Sequence, residues 1–235
     1  MKRSIKKIVF TVITFSLTCL MLSSCLWVEE KKDRKIEAKI EDCIEKGDFQ
    51  KAKQLNKKMF YQRDCANRIC KAQVSSLIDE GQFHLAADIA KEDVDYGVYY
   101  EVLMGKLTQL YDSNPQGLMI ALSSITFPRP YEGSWDVRWN GSKIGRFDPG
   151  GLNHLYESFN NNLKQLLYYA KNKNDMEFVQ MVSAFLKPLY KKEKRKVKEW
   201  NVNKQEIVWV DGEVWEDAPS DYTQANQIKK ELGIK

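Results

Sequence analysis

A short pattern occurs twice in this chain, 34 residues apart, and it limits the folds that the chain can adopt. GDFQKA begins at Gly47 and GQFHLA begins at Gly81. Before each Gly, apolar residues are spaced by three and four, as on one face of a helix. A Gly at the end of such a face suits the left-handed residue that closes a helix. An aromatic, an Ala and an aliphatic residue then follow at steps of three. The pattern therefore predicts two units of helix, turn and helix.

This unit resembles the tetratricopeptide repeat, which has the same period and a similar turn. The resemblance covers roughly residues 34–95. The sequence departs from the family where the first helix needs a small residue, because Ile40 and Val74 stand there, and the closing Pro is absent. The resemblance implies a mostly α fold, an antiparallel stack of helical hairpins. Its concave surface, lined by the first helices of the units, would suit a protein or peptide.

Two further units extend the predicted stack. In the third, EVLMGKLTQLYDSN is followed by PQGLMIALSSI, with Ser113 or Asn114 as the N-cap and Pro115 in the first turn. In the fourth, helices over 152–175 and 176–196 meet at Asn174, which replaces the Gly. We therefore expect one helical-repeat domain over residues 34–235.

The first residues predict export. Residues 1–24 join a basic head to an apolar run, which is the pattern of a signal peptide. LSSC, which ends at Cys25, resembles the bacterial lipobox, and this implies a lipidated (palmitate-bearing) Cys25 at the start of the mature chain. Residues 25–33 would be a tether or the first turns of a helix. The resemblance implies a lipoprotein held at a bacterial membrane, most simply the outer membrane. An ordinary secretory signal is the alternative.

The charge of the chain argues against nucleic acid as a partner. The net charge is +5, but four of the cations lie in the signal segment, which has no Asp or Glu, so the mature chain would carry only +1. A near-neutral protein has no overall field that attracts a polyanion.

Two β-hairpins are predicted within the helical domain. One lies at about 128–150 around Asn140-Gly141, and the other at about 205–217 around Asp211-Gly212. Both dipeptides favour the type I′ turn of a hairpin. In the first, we expect Trp139 to face Ser142 and Val137 to face Ile144. Because an isolated hairpin is marginal in water, both should dock on the same end of the stack. The tryptophans of both, at 135, 139, 209 and 215, would then form one cluster or two adjoining ones.

The first hairpin supplies the candidate ligand-binding residues. Aromatic rings and guanidinium groups together can bind a glycan, a peptide or a nucleobase. The candidates are Tyr131, Trp135, Arg138, Trp139 and Arg146. The alternative is that the aromatics anchor the hairpin and the arginines form its solvated edge.

No catalytic residue, metal site or cofactor is predicted. His84 and His154 lie near no nucleophile motif, and no phosphate-binding Gly loop is present. The cysteines at 43, 65 and 70 fit buried core positions, although export would permit a disulfide. The basic run at 191–199 fits the exposed end of a helix, or a contact with anionic headgroups.

Three functions remain open from the sequence. The first is a membrane-anchored module or scaffold that binds a protein or peptide in the bacterial envelope. The second is a glycan-binding or glycan-processing envelope protein that uses the insert at 128–150. The third is an immunity or inhibitor lipoprotein. Enzyme activity has no residue to support it.

Overall fold

The computed structural model describes residues 30–234, apart from 60–62, 94–95, 126, 128, 132–133, 140–141, 147–148 and 217. These residues are mostly helical, as predicted, with two small antiparallel sheets. The helices are α1 (30–45), α2 (Phe49–Asn56), α3 (Arg63–Asp79), α4 (Phe83–Asp93), α5 (Tyr96–Gly105), α6 (Leu107–Ser113), α7 (Pro115–Ser124), α8 (Pro149–Asn172), α9 (Met176–Ser183) and α10 (Thr223–Leu232). The strands are β1 (Arg129–Tyr131), β2 (Ser134–Trp139), β3 (Ser142–Arg146), β4 (Lys192–Asn201) and β5 (Glu206–Trp215).

The predicted inter-helix turns have the expected geometry. Gly47 has φ +70° and Gly81 has φ +74°. The N–H of Gly47 donates to the carbonyl of Ile44, and the next N–H donates to the carbonyl of Cys43 at 2.8 Å. The turn at Gly81 has the same two bonds. This pair of backbone hydrogen bonds is the Schellman motif. Both glycines therefore occupy equivalent left-handed positions, as predicted.

The helices after these turns bury equivalent side chains. Ala52 and Ala86 are both fully buried. Phe83 is also buried, whereas Phe49 is half-buried. Phe49 packs against a separate, smaller core that the first unit shares with the start of α3, and its members are Ile40, Cys43, Ala52, Met59, Cys65 and Ile69. The two units are therefore alike in backbone, but each packs in a different core.

The third unit begins its second helix at the predicted cap. Asn114 Oδ1 accepts the N–H of Gly117 at 2.9 Å, and Pro115 follows at the first helical position. Pro is well placed there, because the first N–H of a helix has no intrahelical partner. The first helix of this unit is divided into α5 and α6 at Lys106.

The long helix α8 carries much of the core. Its buried residues recur at helical spacing on one side: Leu152, Tyr156, Phe159, Asn160, Leu163, Leu166, Leu167 and Ala170. It ends at Asn172 and is followed by a turn in which Asn174 has φ +61° and the same Schellman bonds as Gly47 and Gly81. Asn is the residue other than Gly that best tolerates this conformation, so the fourth turn also forms as predicted.

The second helix of the fourth unit is much shorter than the predicted 176–196. It ends at Ser183, and residues 186–191 run along α8 without helical structure. Pro188 disfavours a helical conformation at the preceding residue. Asn153 and Asn160 of α8 bind the backbone of this segment at Tyr190 and Lys187. The side chains of α8 therefore replace the helical bonds that the segment would otherwise make.

The predicted hairpin turn at Asp211-Gly212 is wrong. Both residues lie inside β5, which pairs with β4 over ten residue pairs from Lys192↔Trp215 to Asn201↔Glu206. The turn is at 202–205, where Asn201 Oδ1 accepts the N–H groups of Asn203 and Lys204, both at 3.1 Å. The basic run at 191–199 is thus mainly strand β4 and not a helix end. The ten cross-strand residue pairs of β4 and β5 stabilise the observed hairpin more than the few pairs that a turn at 211–212 would allow.

The insert forms a three-stranded sheet in the order β1-β2-β3. Trp139 pairs with Ser142, as predicted. A bulge between Val137 and Arg138 shifts the rest of the register by one residue, so Val137 pairs with Gly145 instead of Ile144. Strand β1 adds a third strand to the two that the sequence predicted, and it contains Pro130. Pro is tolerated there because β1 is at the edge of its sheet.

The predicted signal peptide and Cys25 lie outside the described residues. The predicted tether is helical from residue 30 onward, where α1 begins, so its described part forms the first turn of a helix. Among the residues that the structure describes, none of the helices has the length and apolar character needed to cross a bilayer.

Candidate functional site: a groove between the starts of α4 and α7

A groove of about 630 Å³ lies where α4 and α7 begin. A Cβ added to Gly81 would lie 3.9 Å from Asn114 Nδ2, so the turn before α4 touches the cap of α7. The lining residues are Gly81, Gln82, Phe83, His84, Leu85, Asn114, Gln116, Gly117 and Ile120. The 34-residue period thus brings the starts of two successive second helices to one place.

Two glycines have different roles in this groove. Gly81 provides the left-handed turn that leads into α4. Gly117 leaves room for the cap of α7, because a Cβ there would lie 2.3 Å from Asn114 Nδ2. The Asn114 side chain can therefore fold over the first turn of α7 and accept the N–H of Gly117.

The groove has a buried apolar floor and exposed aliphatic sides. Phe83 is buried, as are Gly117 and the nearby Leu118. Leu85 on α4 is 46% exposed and Ile120 on α7 is 53% exposed. Two large aliphatic side chains that face solvent across a concave surface are available to bury an apolar group of a ligand.

The polar groups of the groove are suited to binding. Gln82, Gln116 and Asn114 contribute amides, and two helices present their N-terminal ends to the same region. The first N–H groups of a helix lack intrahelical partners, and that end carries partial positive charge. This arrangement can receive carbonyl or carboxylate oxygens beside an apolar side chain, which are the groups that a peptide offers.

The groove differs in position from the surface that the sequence predicted. The repeat resemblance implies binding along the first helices of the units, whereas this groove is at the turn ends of the second helices. Leu85 and Ile120 were missed because neither belongs to the buried stripe that carried the repeat signal. Leu85 follows Phe83 by two residues, and that position lies off the stripe.

The predicted ligand-binding residues are brought to one small sheet. Tyr131 is on β1, Trp135, Arg138 and Trp139 are on β2, and Arg146 is on β3. Their side chains lie outside what the structure describes, so the glycan interpretation stays a prediction.

Of the tryptophans in β5, Trp215 packs at the base of the hairpin against the cluster of Leu152, Tyr156 and Tyr190. Trp209 is 61% exposed. Six residues of strand separate the two by about 20 Å, so these two do not share a cluster. Phe127, just before the first sheet, packs on the same cluster as Trp215. The residue that precedes the first sheet and the base of the β4–β5 hairpin therefore pack on the same cluster, near the start of α8.

The remaining candidate chemistry is sparse in the described part of the chain. Cys43, Cys65 and Cys70 are buried and form no disulfide with one another. His84 lies in the groove. His154 is exposed, and its Nδ1 lies 3.7 Å from Glu157 Oε2. No group of three His, Cys, Asp or Glu among the described residues could hold a metal ion.

Comparisons with protein-family models, with curated proteins and with solved structures gave no match.

Proposed function

We propose that this chain is a membrane-anchored exported lipoprotein that binds a protein or peptide in the bacterial envelope through the groove between α4 and α7. The observation that supports the proposal is the pair Leu85 and Ile120, two exposed aliphatic side chains on opposite sides of a concave surface. Each side chain is already about half buried, so burying the rest would contribute about 1 kcal/mol for each. The amides around them would fix the direction of an extended or helical segment.

The N-terminal pattern supports the anchoring half of the proposal. The lipobox-like LSSC ends at Cys25, immediately after an apolar run. Lipid on Cys25 would hold the mature chain at a membrane, and the likeness of the helical hairpins to tetratricopeptide repeats favours a binding role. Palmitate labelling and fractionation test this half. Cys25→Ser should abolish both labelling and membrane pelleting, and a variant that keeps both would refute the anchor.

Site-specific crosslinking tests the binding half. A photoreactive side chain at position 85 or 120 should give discrete protein adducts in intact cells. The matched control is position 181, because Met181 on α9 is 45% exposed but lies outside the groove. Adducts from the control position, or none from the groove, would contradict the proposal.

A second substitution makes the crosslinking specific to the groove. Leu85→Glu places a charge on one side of the groove while the crosslinker remains at position 120. The adduct should then be lost, because burying an unpaired carboxylate opposes docking. Because Leu85 is exposed, the substitution should leave the helical circular dichroism unchanged. An adduct that persists with Leu85→Glu would show that the groove is not the binding surface.

A further inference from the structure

The hairpin of β4 and β5, here called the arm, extends well beyond the cluster on which its base packs. Its ten pairs correspond to a length of about 33 Å. At the base, Trp215 packs on the cluster of Leu152, Tyr156 and Tyr190. Beyond the base, β4 is mostly exposed on both faces, whereas β5 alternates between half-buried residues on one face and exposed residues on the other. The arm therefore presents a surface that the helical body does not cover.

The exposed face carries large apolar side chains at its far end. Trp200 pairs with Ile207, and the next pair on the same face is Lys198 with Trp209. Trp200, Ile207 and Trp209 are 60%, 62% and 61% exposed, and Val202 in the turn is 77% exposed. These four are among the most exposed large apolar residues described, and all lie within the last few residues of the arm.

A row of lysines follows on the same face toward the base. Alternate residues of a strand share a face, so Lys192, Lys194, Lys196 and Lys198 are aligned. Their cross-strand partners on this face include two carboxylates, Asp211 and Glu213, which leaves a net charge of +2. Lys196 Nζ forms a salt bridge with Asp211 Oδ1 at 2.7 Å. The Lys198 ammonium lies 5.1 Å from the Trp209 ring centre.

We propose that the tip of the arm binds the surface of an anionic lipid bilayer. Trp prefers the level of the headgroups, where its ring is apolar and its N–H stays hydrated. Ile207 and Val202 would enter the edge of the acyl region, and the lysines would lie among anionic headgroups. The opposite face of the arm carries three carboxylates, Glu193, Glu199 and Glu206, and one cation, Arg195, so its net charge is −2. That face would point away from the bilayer. The lysine row and the exposed apolar side chains thus both indicate the same face of the arm as the one that would contact the bilayer.

The other occupants fit the arm less well. If a second copy packed on this face, two surfaces of net charge +2 would be buried together, which like charges oppose. A soluble acidic protein would satisfy the lysines but gives no reason for the tryptophans at the far end. The inference rests on the proposed membrane anchor only for placing the arm near a bilayer, and it does not depend on the occupant of the groove.

Quenching of tryptophan fluorescence by brominated lipids tests the proposal directly. Trp27 follows Cys25 closely and would also be quenched, so all proteins carry Trp27→Phe. The full chain is mixed with brominated phosphatidylglycerol–phosphatidylethanolamine vesicles. The parent should be quenched, and adding Trp200→Phe and Trp209→Phe should remove most of that quenching. Quenching that is unaffected by the two substitutions would overturn the proposal.

The lysine row gives an independent measurement. Lys194→Gln and Lys198→Gln should each weaken binding to anionic vesicles by about fivefold, because a cation near an anionic surface contributes about 1 kcal/mol. The control is Lys91→Gln, an exposed residue of α4, which should have little effect. Equal binding to phosphatidylcholine vesicles, or self-association through the arm in sedimentation without lipid, would contradict the proposal. Loss of lipid binding with intact groove crosslinking would separate this site from the proposed function.

Discussion

Asn160 and Lys187 are joined by two hydrogen bonds that imitate one step of β-sheet pairing. Asn160 Oδ1 accepts the Lys187 N–H at 2.8 Å, and Asn160 Nδ2 donates to the Lys187 carbonyl at 2.9 Å. Asn153 binds Tyr190 in the same way, at 2.7 and 3.0 Å. From Asn153 to Asn160, seven helical residues rise by about 10.5 Å. From Lys187 to Tyr190, three extended residues span about 10 Å. The two asparagines therefore match the spacing of the segment beside them.

Asn160→Ala should destabilise the protein by about 2–6 kcal/mol. Asn160 is fully buried, and its removal leaves the Lys187 N–H and carbonyl without these partners, each at a cost of about 1–3 kcal/mol. Urea unfolding measures the loss, and amide exchange at Lys187 should accelerate. Asn161→Ala is the control, since Asn161 is exposed. Equal effects from both substitutions would show that the two hydrogen bonds between Asn160 and Lys187 contribute nothing to stability.

Gly47→Ala should destabilise the protein by about 1–2 kcal/mol, the cost of a left-handed residue with a side chain. Gly105→Ala is a matched control, because an added Cβ meets nothing within 4 Å at either position and only Gly47 has positive φ. At Gly105 the substitution should be neutral or stabilising, by up to about 1 kcal/mol. Thermal or urea unfolding distinguishes the two, and equal effects would contradict the backbone explanation.

Asp175→Ala should cost more than Asp48→Ala. Both aspartates cap the helix that follows, and each accepts a backbone N–H at 3.1 Å. Loss of a cap costs about 1 kcal/mol. Asp175 also accepts a hydrogen bond from the Tyr111 hydroxyl at 2.9 Å. A double-mutant cycle with Tyr111→Phe should give a coupling at Asp175, and additive effects would indicate that this bond is not formed.

Stability should fall in acid through Glu231. Hydrogen bonds from Lys164 and then Tyr168 hold the pKa of the Glu231 carboxyl below its ordinary 4.5. A carboxyl whose folded pKa is depressed contributes stability above its unfolded pKa and loses it as pH falls through the folded value. The difference in urea midpoint between pH 7 and pH 3 should therefore shrink with Glu231→Gln. Lys164→Met should shrink it similarly, and an unchanged difference in both variants would contradict this origin.

The sequence predicted the helical units well because their signals are local. The turns at Gly47, Gly81 and Asn174 each depend on a single left-handed residue, and the cap at Asn114 depends on its own next three residues. Each of these features can be read within one turn of the chain. The buried helix stripes follow for the same reason.

The parts that the sequence mispredicted depend on contacts between distant residues. Lys187 is extended because Asn160, 27 residues earlier, binds its backbone. The groove exists because α4 and α7 begin side by side, and no local pattern marks Leu85 or Ile120 as its sides. The Asp211-Gly212 turn signal is local and strong, but the ten pairs of the arm override it.

The arm itself supplies the last prediction, at Gly212. A Cβ there would lie 2.6 Å from Val197 Cγ2 on β4, and a β-branched side chain has little freedom to move away. Gly212→Ala should therefore destabilise the arm by about 1–3 kcal/mol, measured as faster amide exchange along β5. Val197→Ala should restore the exchange rate in the double variant, because it removes the clashing methyl group. If Gly212 instead occupied the left-handed position of a turn, the cost would come from its own backbone, and no substitution at Val197 would relieve it.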